Sequence, residues 1–174
     1  MRRATIPPMV HTFPHHCVLS LPEALALRAQ LRTENIPLVF TNGHFDLLHV
    51  GHLDYLEKAR ALGGALLVAV NDDASTRALK GRGRPIVPAA ERARLVAALH
   101  CVTAALVFQG ETANALISVL QPEIYVKGSD YRHKPLPERD AVAAYGGKVV
   151  LIDLLPDHST SALIARIRAL PTDS

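Results

Sequence analysis

Short aliphatic runs alternate with amphipathic stretches along most of the chain. Residues 21–33 form the first amphipathic stretch, in which apolar side chains recur at helical spacing after Ser20, a residue typical of a helix N-cap. The same spacing predicts further helices at residues 50–62, shortly after 73, at 88–99, at 112–120 and from 160 to about 168. Buried strands are predicted at five aliphatic or β-branched runs, residues 38–41, 65–70, 104–108, 124–127 and 148–152.

This alternation of strands and helices predicts the class of fold. Strands that are continuous apolar segments are covered on both faces, and strands separated by helices pair in parallel. We therefore predict an α/β fold, a doubly wound (Rossmann-like) parallel sheet of five strands with helices on both faces. Such sheets bind ligands beyond the carboxyl ends of the strands, near the point where the strand order reverses. Function is thus expected in the loops at 41–52, 71–92, 127–134 and 153–161.

The first of these loops has the composition of an anion site. Gly43 and Gly51 permit close backbone approach, and the helix that begins near residue 50 directs its free N–H groups at the same place. His49 and His52 lie on the first turn and add imidazole donors. The pattern favours phosphate binding. A structural role and a metal site are the alternatives, and a metal would find only Asp46 as a further ligand nearby.

Size and composition predict one domain. With 174 residues, 49% of them hydrophobic and 20% charged, the chain can bury a single aliphatic core. We expect the domain at residues 21–174, preceded by a proline-containing N-terminal arm at 1–20. The apolar runs are far shorter than the roughly 20 residues of a membrane-spanning helix, and the N-terminus lacks the apolar stretch of a secretory signal. A cytoplasmic protein without a membrane partner is expected.

Charge and cysteine content argue against several other classes of site. The formal net charge is +3, but the basic residues are scattered, which favours a small anionic substrate over a nucleic-acid partner. The two cysteines, Cys17 and Cys101, form no C-x-x-C pair. Neither a disulfide framework nor a zinc knuckle is therefore predicted, and no metal site made by protein side chains is expected.

At the histidine loop and beyond it, the chain resembles the HxGH nucleotidyltransferase superfamily and, within it, the cytidylyltransferase-like group. The loop carries VFTNG at 39–43 and FDLLHVGH at 45–52. Within the group, the resemblance is closest to the heptose-phosphate adenylyltransferase, or ADP-heptose synthase, domain. The segments that carry this narrower resemblance are VAVN at 68–71, DAST at 73–76, LKG at 79–81, RP at 84–85, VKG at 126–128, DY at 130–131 and ST at 159–160. The resemblance covers residues 38–168.

This resemblance implies roles for individual residues. His49 and His52 would bind the triphosphate and stabilise the transition state, and Lys80 would lie near the α-phosphate and the acceptor phosphate. These three are the expected catalytic residues. Asp46 would shape the loop. The expected nucleotide-binding residues are Phe40, Thr41, Gly43, His49, His52, Arg92, Lys127, Asp130, Ser159 and Thr160.

The resemblance also implies a reaction. AMP would pass from ATP to a sugar 1-phosphate, with D-glycero-D-manno-heptose 1-phosphate as the expected acceptor, and pyrophosphate would be released. Mg²⁺ would be bound through the nucleotide phosphates, and the protein would be a homodimer. Three alternatives stay open: a cytidylyltransferase acting on glycerol 3-phosphate or a related alcohol phosphate, a nucleotide-binding module without turnover, and a nucleic-acid-binding protein.

Four positions depart from the pattern of the family or of one of its branches. Position 44 is His where a small or apolar residue is usual, which adds a titratable group beside the phosphate loop. Position 154 is Leu where glycerol-phosphate cytidylyltransferases carry an arginine, and Lys127 and Tyr131 also differ from that branch. These departures favour the heptose branch.

Overall fold

The computed structural model describes residues 17–171 of the chain. Its helices and strands follow the predicted order closely. In chain order the elements are β1 (Cys17–Val18), α1 (Leu21–Thr33), β2 (Leu38–Gly43), α2 (Val50–Arg60), β3 (Ala65–Asn71), α3 (Asp73–Lys80), α4 (Ala89–Ala97), β4 (Ala104–Phe108), α5 (Asn114–Leu120), β5 (Ile124–Gly128), α6 (Arg139–Ala143), β6 (Lys148–Ile152) and α7 (Thr160–Arg168), with a 3₁₀ turn at Ser129–Arg132.

The strands form one sheet in the order β1-β4-β3-β2-β5-β6, and every pair is parallel. The α/β, doubly wound prediction is confirmed, but the number of strands is six. The additional strand is β1, where Cys17 lies opposite Ala104 at the edge of the sheet. From β2 the chain first builds outward through β3 and β4, and then returns to place β5 on the other side of β2. The strand order therefore reverses between β2 and β5, where a ligand crevice is expected.

Two apolar layers hold the helices against the sheet. Alternate residues of one strand point to opposite faces, so Phe40 contributes to one layer and Val39 to the other. Helices α1, α5 and α6 cover the first face, and α2 and α4 cover the second. The central strands β2 and β3 are buried along almost their whole length, which holds their carboxyl ends in place beneath the loops.

Helix α1 begins as predicted. The Ser20 side chain accepts a hydrogen bond from the Glu23 backbone N–H, and the Glu23 carboxylate accepts one from the Ser20 N–H at 2.7 Å. This reciprocal capping satisfies two otherwise free donors. Within residues 17–171, no helix is long and apolar enough to cross a membrane. Residues 1–16 of the predicted arm lie outside the described part of the chain.

Candidate active site

A cavity of about 420 Å³ opens at the carboxyl ends of β2 and β5. Its walls include Gly43 at the end of β2, Gly128 at the end of β5, and the N-terminal turns of α2 and α7. Free backbone N–H groups and the positive ends of two helix dipoles thus reach one space. The cavity therefore occupies the crevice that the strand order predicts, and its backbone alone favours an anion.

Asp46 organises the loop between β2 and α2. Its carboxylate accepts hydrogen bonds from Arg84 Nε at 2.5 Å and from the backbone N–H groups of Ile86 and Val87 at 2.7 and 3.0 Å. Burial alone would raise the pKa of Asp46, but these hydrogen bonds outweigh it, so the pKa lies below its usual value. Asp46 thus joins the histidine loop to the loop after α3, in agreement with the shaping role that the resemblance implies.

Replacing Asp46 by alanine is expected to lower the free energy of unfolding by about 3 kcal/mol. The side chain of Asp46 is 1% exposed and that of Arg84 is 15% exposed, so the substitution leaves a cation and two backbone donors without their partner. Denaturant titration of the two proteins measures the difference. Asp54→Ala is the control, because it removes only the exposed ion pair with Lys58 and should cost less than about 1 kcal/mol. Equal losses for the two variants would contradict this role.

His49 and His52 stack on each other at the start of α2. Their ring centroids are 3.8 Å apart, and the planes differ by 24°. The His49 backbone N–H donates to Nδ1 of His52 at 3.4 Å, so the proton of the neutral His52 ring is on Nε2. Phe45 packs against His52 with the ring centroids 5.4 Å apart. The pair is therefore held in place, with ring nitrogens left for a ligand.

Both imidazoles are neutral at pH 7. Burial, with a smaller contribution from His49, lowers the pKa of His52 to about 4. Burial and the nearby His158 also lower the pKa of His49. Among the described residues, the buried Nδ1 of His49 has no hydrogen-bond partner. Neutral rings that keep ring nitrogens free for a ligand suit contact with an anion, which would raise both pKa values on binding.

Gly51 allows this pair of rings to sit where it does. A Cβ atom at this position would lie 2.9 Å from Cβ of His158 and 3.0 Å from Nδ1 of His49. Both distances are shorter than ordinary van der Waals contacts, so a side chain here would displace the His49 ring or the loop that carries His158. The glycine of the motif is thus explained by close packing around His49.

Two lysines bring positive charge to the cavity. Lys127, near the end of β5, is 8% exposed, and its Nζ donates to the Asn42 carbonyl at 3.3 Å. Burial lowers the pKa of this ammonium group. Lys80 ends α3 and is exposed to the cavity. Lys127 is thus held in place at the base of the cavity, whereas the exposed Lys80 side chain can adjust to a bound substrate.

The start of α7 closes the opposite wall. Ser159 caps the helix by accepting a hydrogen bond from the Ala162 N–H at 3.1 Å, and Oγ1 of Thr160 lies 3.5 Å from the Leu47 carbonyl. Both residues line the cavity together with Asp130. The segments at 127–131 and 159–160, far apart in sequence, therefore meet the histidine loop around one space.

Most of the residues predicted for the site line this cavity, but three lie beneath it. The lining residues from the prediction are Gly43, His49, His52, Lys80, Lys127, Asp130, Ser159 and Thr160. Phe40 is fully buried in the core, and the Thr41 hydroxyl bonds to the Val126 carbonyl and to the Tyr55 hydroxyl. Any contact that Phe40 or Thr41 makes with a nucleotide would therefore have to come from the backbone.

Arg92 has a different environment from the one expected. Its side chain is 0% exposed, and it donates to the backbone carbonyls of Val87 and His44 and to the Asp73 carboxylate. The expected nucleotide contact is corrected to a supporting position, because α4 directs this side chain under the loop rather than into the cavity. Arg92 holds the histidine loop, α3 and the start of α4 together.

Several lining residues were not singled out from the sequence. They are Asn71, Glu111, Glu138 and His158. Asn71 was noted only as part of a matching segment, and its position as the last residue of β3 was the available signal. Glu111 and Glu138 lie in loops that carry no recognisable spacing, so only the fold brings them to the cavity, whereas His158 lies in the loop predicted at 153–161.

Comparisons with known proteins confirm the class that this fold and this site indicate, a nucleotidyltransferase domain. A family model described as cytidylyltransferase-like matches residues 40–165. Because that match covers well over half of the sequence, the chain belongs to the cytidylyltransferase-like family. The resemblance drawn from the histidine loop and the downstream segments is thereby confirmed.

Curated relatives agree with this assignment. A protein named bifunctional protein HldE from Alkalilimnicola ehrlichii is 46% identical over 154 residues, which are 88% of this chain and 32% of that protein. Another of that name from Streptomyces coelicolor is 46% identical over 141 residues, 81% of this chain and 30% of that protein. The chain therefore spans about a third of the length of the curated relatives it matches.

A solved structure shows the same fold. It is described as the lipopolysaccharide core biosynthesis protein from Thermoplasma volcanium GSS1. The match has a TM-score of 0.58 and 25% sequence identity, and it covers 69% of this chain and 97% of that one. The fold of the cytidylyltransferase-like domain is thus known from an independent protein.

Proposed function

We propose that this protein transfers AMP from ATP to a sugar 1-phosphate, with D-glycero-D-manno-heptose 1-phosphate as the acceptor and pyrophosphate as the second product. One observation carries the proposal: the stacked pair of His49 and His52 lies on the first turn of α2, in a cavity that the start of α7 and two lysines also line. A site with so many donors and so few competing acceptors at its centre suits a polyphosphate.

The reaction needs no general base. An oxygen of the acceptor phosphate, already ionised near neutral pH, attacks the α-phosphorus of ATP. The new P–O bond forms as the bond between the α-phosphorus and its bridging oxygen to the β-phosphate breaks, and the electron pair leaves with pyrophosphate. Catalysis then consists of positioning and of stabilising the charge on the α-phosphoryl oxygens and the leaving group. His49, His52 and Lys80 are the residues that we assign to this task.

Magnesium fits the site as a companion of the nucleotide. Among residues 17–171, no group of three or more His, Cys, Asp or Glu side chains is placed to hold a metal ion. Mg²⁺ commonly binds through substrate phosphates, one or two carboxylates and water, and Asp130 and Glu138 are carboxylates of the cavity wall. The ion would neutralise phosphate charge.

The choice of ATP as the nucleotide and of a heptose phosphate as the acceptor is supported by fewer observations. Leu154 lies against the end of β5, since a Cβ on Gly128 would be 3.1 Å from Cδ1 of Leu154. An apolar side chain thus occupies the position where glycerol-phosphate cytidylyltransferases carry an arginine, which favours ATP over CTP. The resemblance to the ADP-heptose synthase domain supports the heptose acceptor. The solved relative's description as a lipopolysaccharide core biosynthesis protein agrees with a carbohydrate substrate.

A pyrophosphate-release assay tests the proposal. The protein is incubated with Mg²⁺ and ATP, CTP or GTP, each paired with D-glycero-D-manno-heptose 1-phosphate or glycerol 3-phosphate. We expect the pair of ATP and heptose phosphate to be faster than every other pair by at least about tenfold, the scale on which one lost polar contact lowers kcat/KM. Preference for CTP and glycerol 3-phosphate would support the cytidylyltransferase instead. Nucleotide binding without pyrophosphate release from any pair would support a module without turnover.

A further inference from the structure

A smaller cavity of about 130 Å³ adjoins the main one on the side of β3 and α3. Four residues line both cavities, namely His44, Asn71, Leu79 and Glu111, and Ser75 and Ala78 complete the smaller one. We call this smaller cavity the side pocket. Its volume corresponds to about four water molecules at roughly 30 Å³ each. It is large enough for a few carbon-bound hydroxyl groups.

His44 offers the side pocket a hydrogen-bond acceptor. Its Nδ1 is 2.9 Å from Oγ1 of Thr76, and the single hydroxyl proton of Thr76 is donated to the Asp72 carbonyl at 2.7 Å. Thr76 must therefore accept from His44, which places the ring proton on Nδ1 and leaves the lone pair on Nε2. Burial and the cations Lys80, Arg92, Lys127 and Arg84 lower the pKa of His44 to about 4, so the ring is neutral at pH 7.

Asn71 and Ser75 also use their hydrogens within the protein. Nδ2 of Asn71 donates to the Gly110 carbonyl at 3.3 Å and lies 3.5 Å from Oγ of Ser75. The Ser75 hydroxyl donates to the Asp72 carbonyl at 3.3 Å. Oδ1 of Asn71 and the remaining lone pair of Ser75 are then left as acceptors. These two side chains add to the acceptors of His44.

Glu111 completes the set with a carboxylate, which only accepts hydrogen bonds when ionised. The side pocket is therefore lined by lone pairs, of which those of His44, Asn71 and Glu111 also face the main cavity, whereas the lysines, the stacked rings of His49 and His52 and the helix N-termini line the main cavity alone. Phosphate oxygens have no hydrogens to donate and would be repelled by Glu111. Hydroxyl groups are donors without charge, so they match the side pocket as phosphates match the main cavity.

We propose that the side pocket binds hydroxyl groups of the sugar acceptor through His44, Asn71 and Glu111, and so selects polyhydroxylated phosphates over simple ones. This inference rests on the proposed function. The position agrees with it, because Asp130, Leu154 and Ser159 lie on the β5 and β6 side, which leaves the β3 side for the acceptor. The acceptor phosphate would then lie between the side pocket and His49.

Glu111→Gln tests this assignment without a threat to folding, because the residue is exposed. Steady-state kinetics of the wild type and the variant should show that KM for heptose 1-phosphate rises about tenfold, since a hydrogen bond to a charged acceptor is replaced by a weaker one to a neutral amide oxygen. KM for ATP should change less than about twofold, which is within the effect of remote surface substitutions. Glu57→Gln, on the exposed face of α2, is the matched control and should leave both constants unchanged.

A binding measurement separates this inference from the proposed function. Calorimetry with α,β-methylene ATP present compares heptose 1-phosphate with methyl phosphate, which has the phosphate but no sugar hydroxyls. Wild type should prefer the sugar phosphate, and Glu111→Gln should lose most of that preference. If wild type prefers the sugar phosphate, Glu111→Gln loses that preference and neither protein turns over an acceptor, the side pocket assignment is supported and the proposed reaction is contradicted. If turnover is normal and Glu111→Gln changes neither constant, the side pocket assignment is overturned. A rise in KM for ATP alone would assign the side pocket to the nucleotide ribose and overturn it as well.

Discussion

Replacement of His49 or His52 by alanine is expected to lower kcat by about 10²- to 10³-fold, the usual effect of removing one donor aimed at a transition-state charge. The two rings are stacked and partly buried, and the His49 N–H bond orients His52 so that Nε2 carries its proton. Neither ring removes a proton in the proposed reaction. The loss should therefore appear in kcat more than in KM for ATP.

Two further variants sharpen this test. His100→Ala removes an exposed histidine outside the cavity and should leave kcat unchanged. His52→Gln keeps an N–H group near the position of Nε2 and should recover part of the activity that His52→Ala loses. Turnover by either alanine variant at the wild-type rate would show that this histidine is not a catalytic residue.

Gly51→Ala is expected to lower kcat by about 10²-fold although it removes no polar group. The new methyl group would meet Nδ1 of His49 at 3.0 Å and Cβ of His158 at 2.9 Å, so the His49 ring or the loop that carries His158 must move. Displacement of a catalytic group by about 1 Å can cost that much in rate. Steady-state kinetics with saturating ATP and acceptor measure the effect.

The matched control for Gly51→Ala is Val50→Ala, on the same turn of α2. Val50 is 51% exposed, so its truncation should leave the rings and the rate almost unchanged. Circular dichroism and thermal unfolding should show that both variants fold. A folded Gly51→Ala protein with normal kcat would mean that the position of His49 does not control the reaction.

Much of the fold could be predicted because its signals are local. The apolar runs at β2 and β3 and the Ser20 cap of α1 each follow from a few neighbouring residues, and the structure places these elements within two residues of the expected bounds. Strand β1 could not be predicted, since two residues, Cys17 and Val18, have no periodicity. They become a strand only because the edge of β4 offers them unpaired backbone groups.

In the site, too, the features set by neighbouring residues could be predicted and those set by packing between distant elements could not. His49 and His52 could be assigned to an anion site from a strand, a glycine and a helix start, all within one segment. Arg92 could not be placed correctly, because its direction depends on how α4 packs over Asp73 and the His44 carbonyl. The acceptors of the side pocket were missed for a similar reason. The tautomer of His44, in the loop after β2, depends on the hydroxyl of Thr76, a residue of α3.

The most direct test of nucleotidyl transfer follows the phosphorus atoms themselves. ATP labelled at the α-phosphate or at the γ-phosphate is incubated with Mg²⁺, D-glycero-D-manno-heptose 1-phosphate and the protein, and the products are separated. Attack at the α-phosphorus predicts that the α-label enters the sugar nucleotide and that the γ-label appears in pyrophosphate. Appearance of the γ-label on the sugar, with ADP as the second product, would contradict the account.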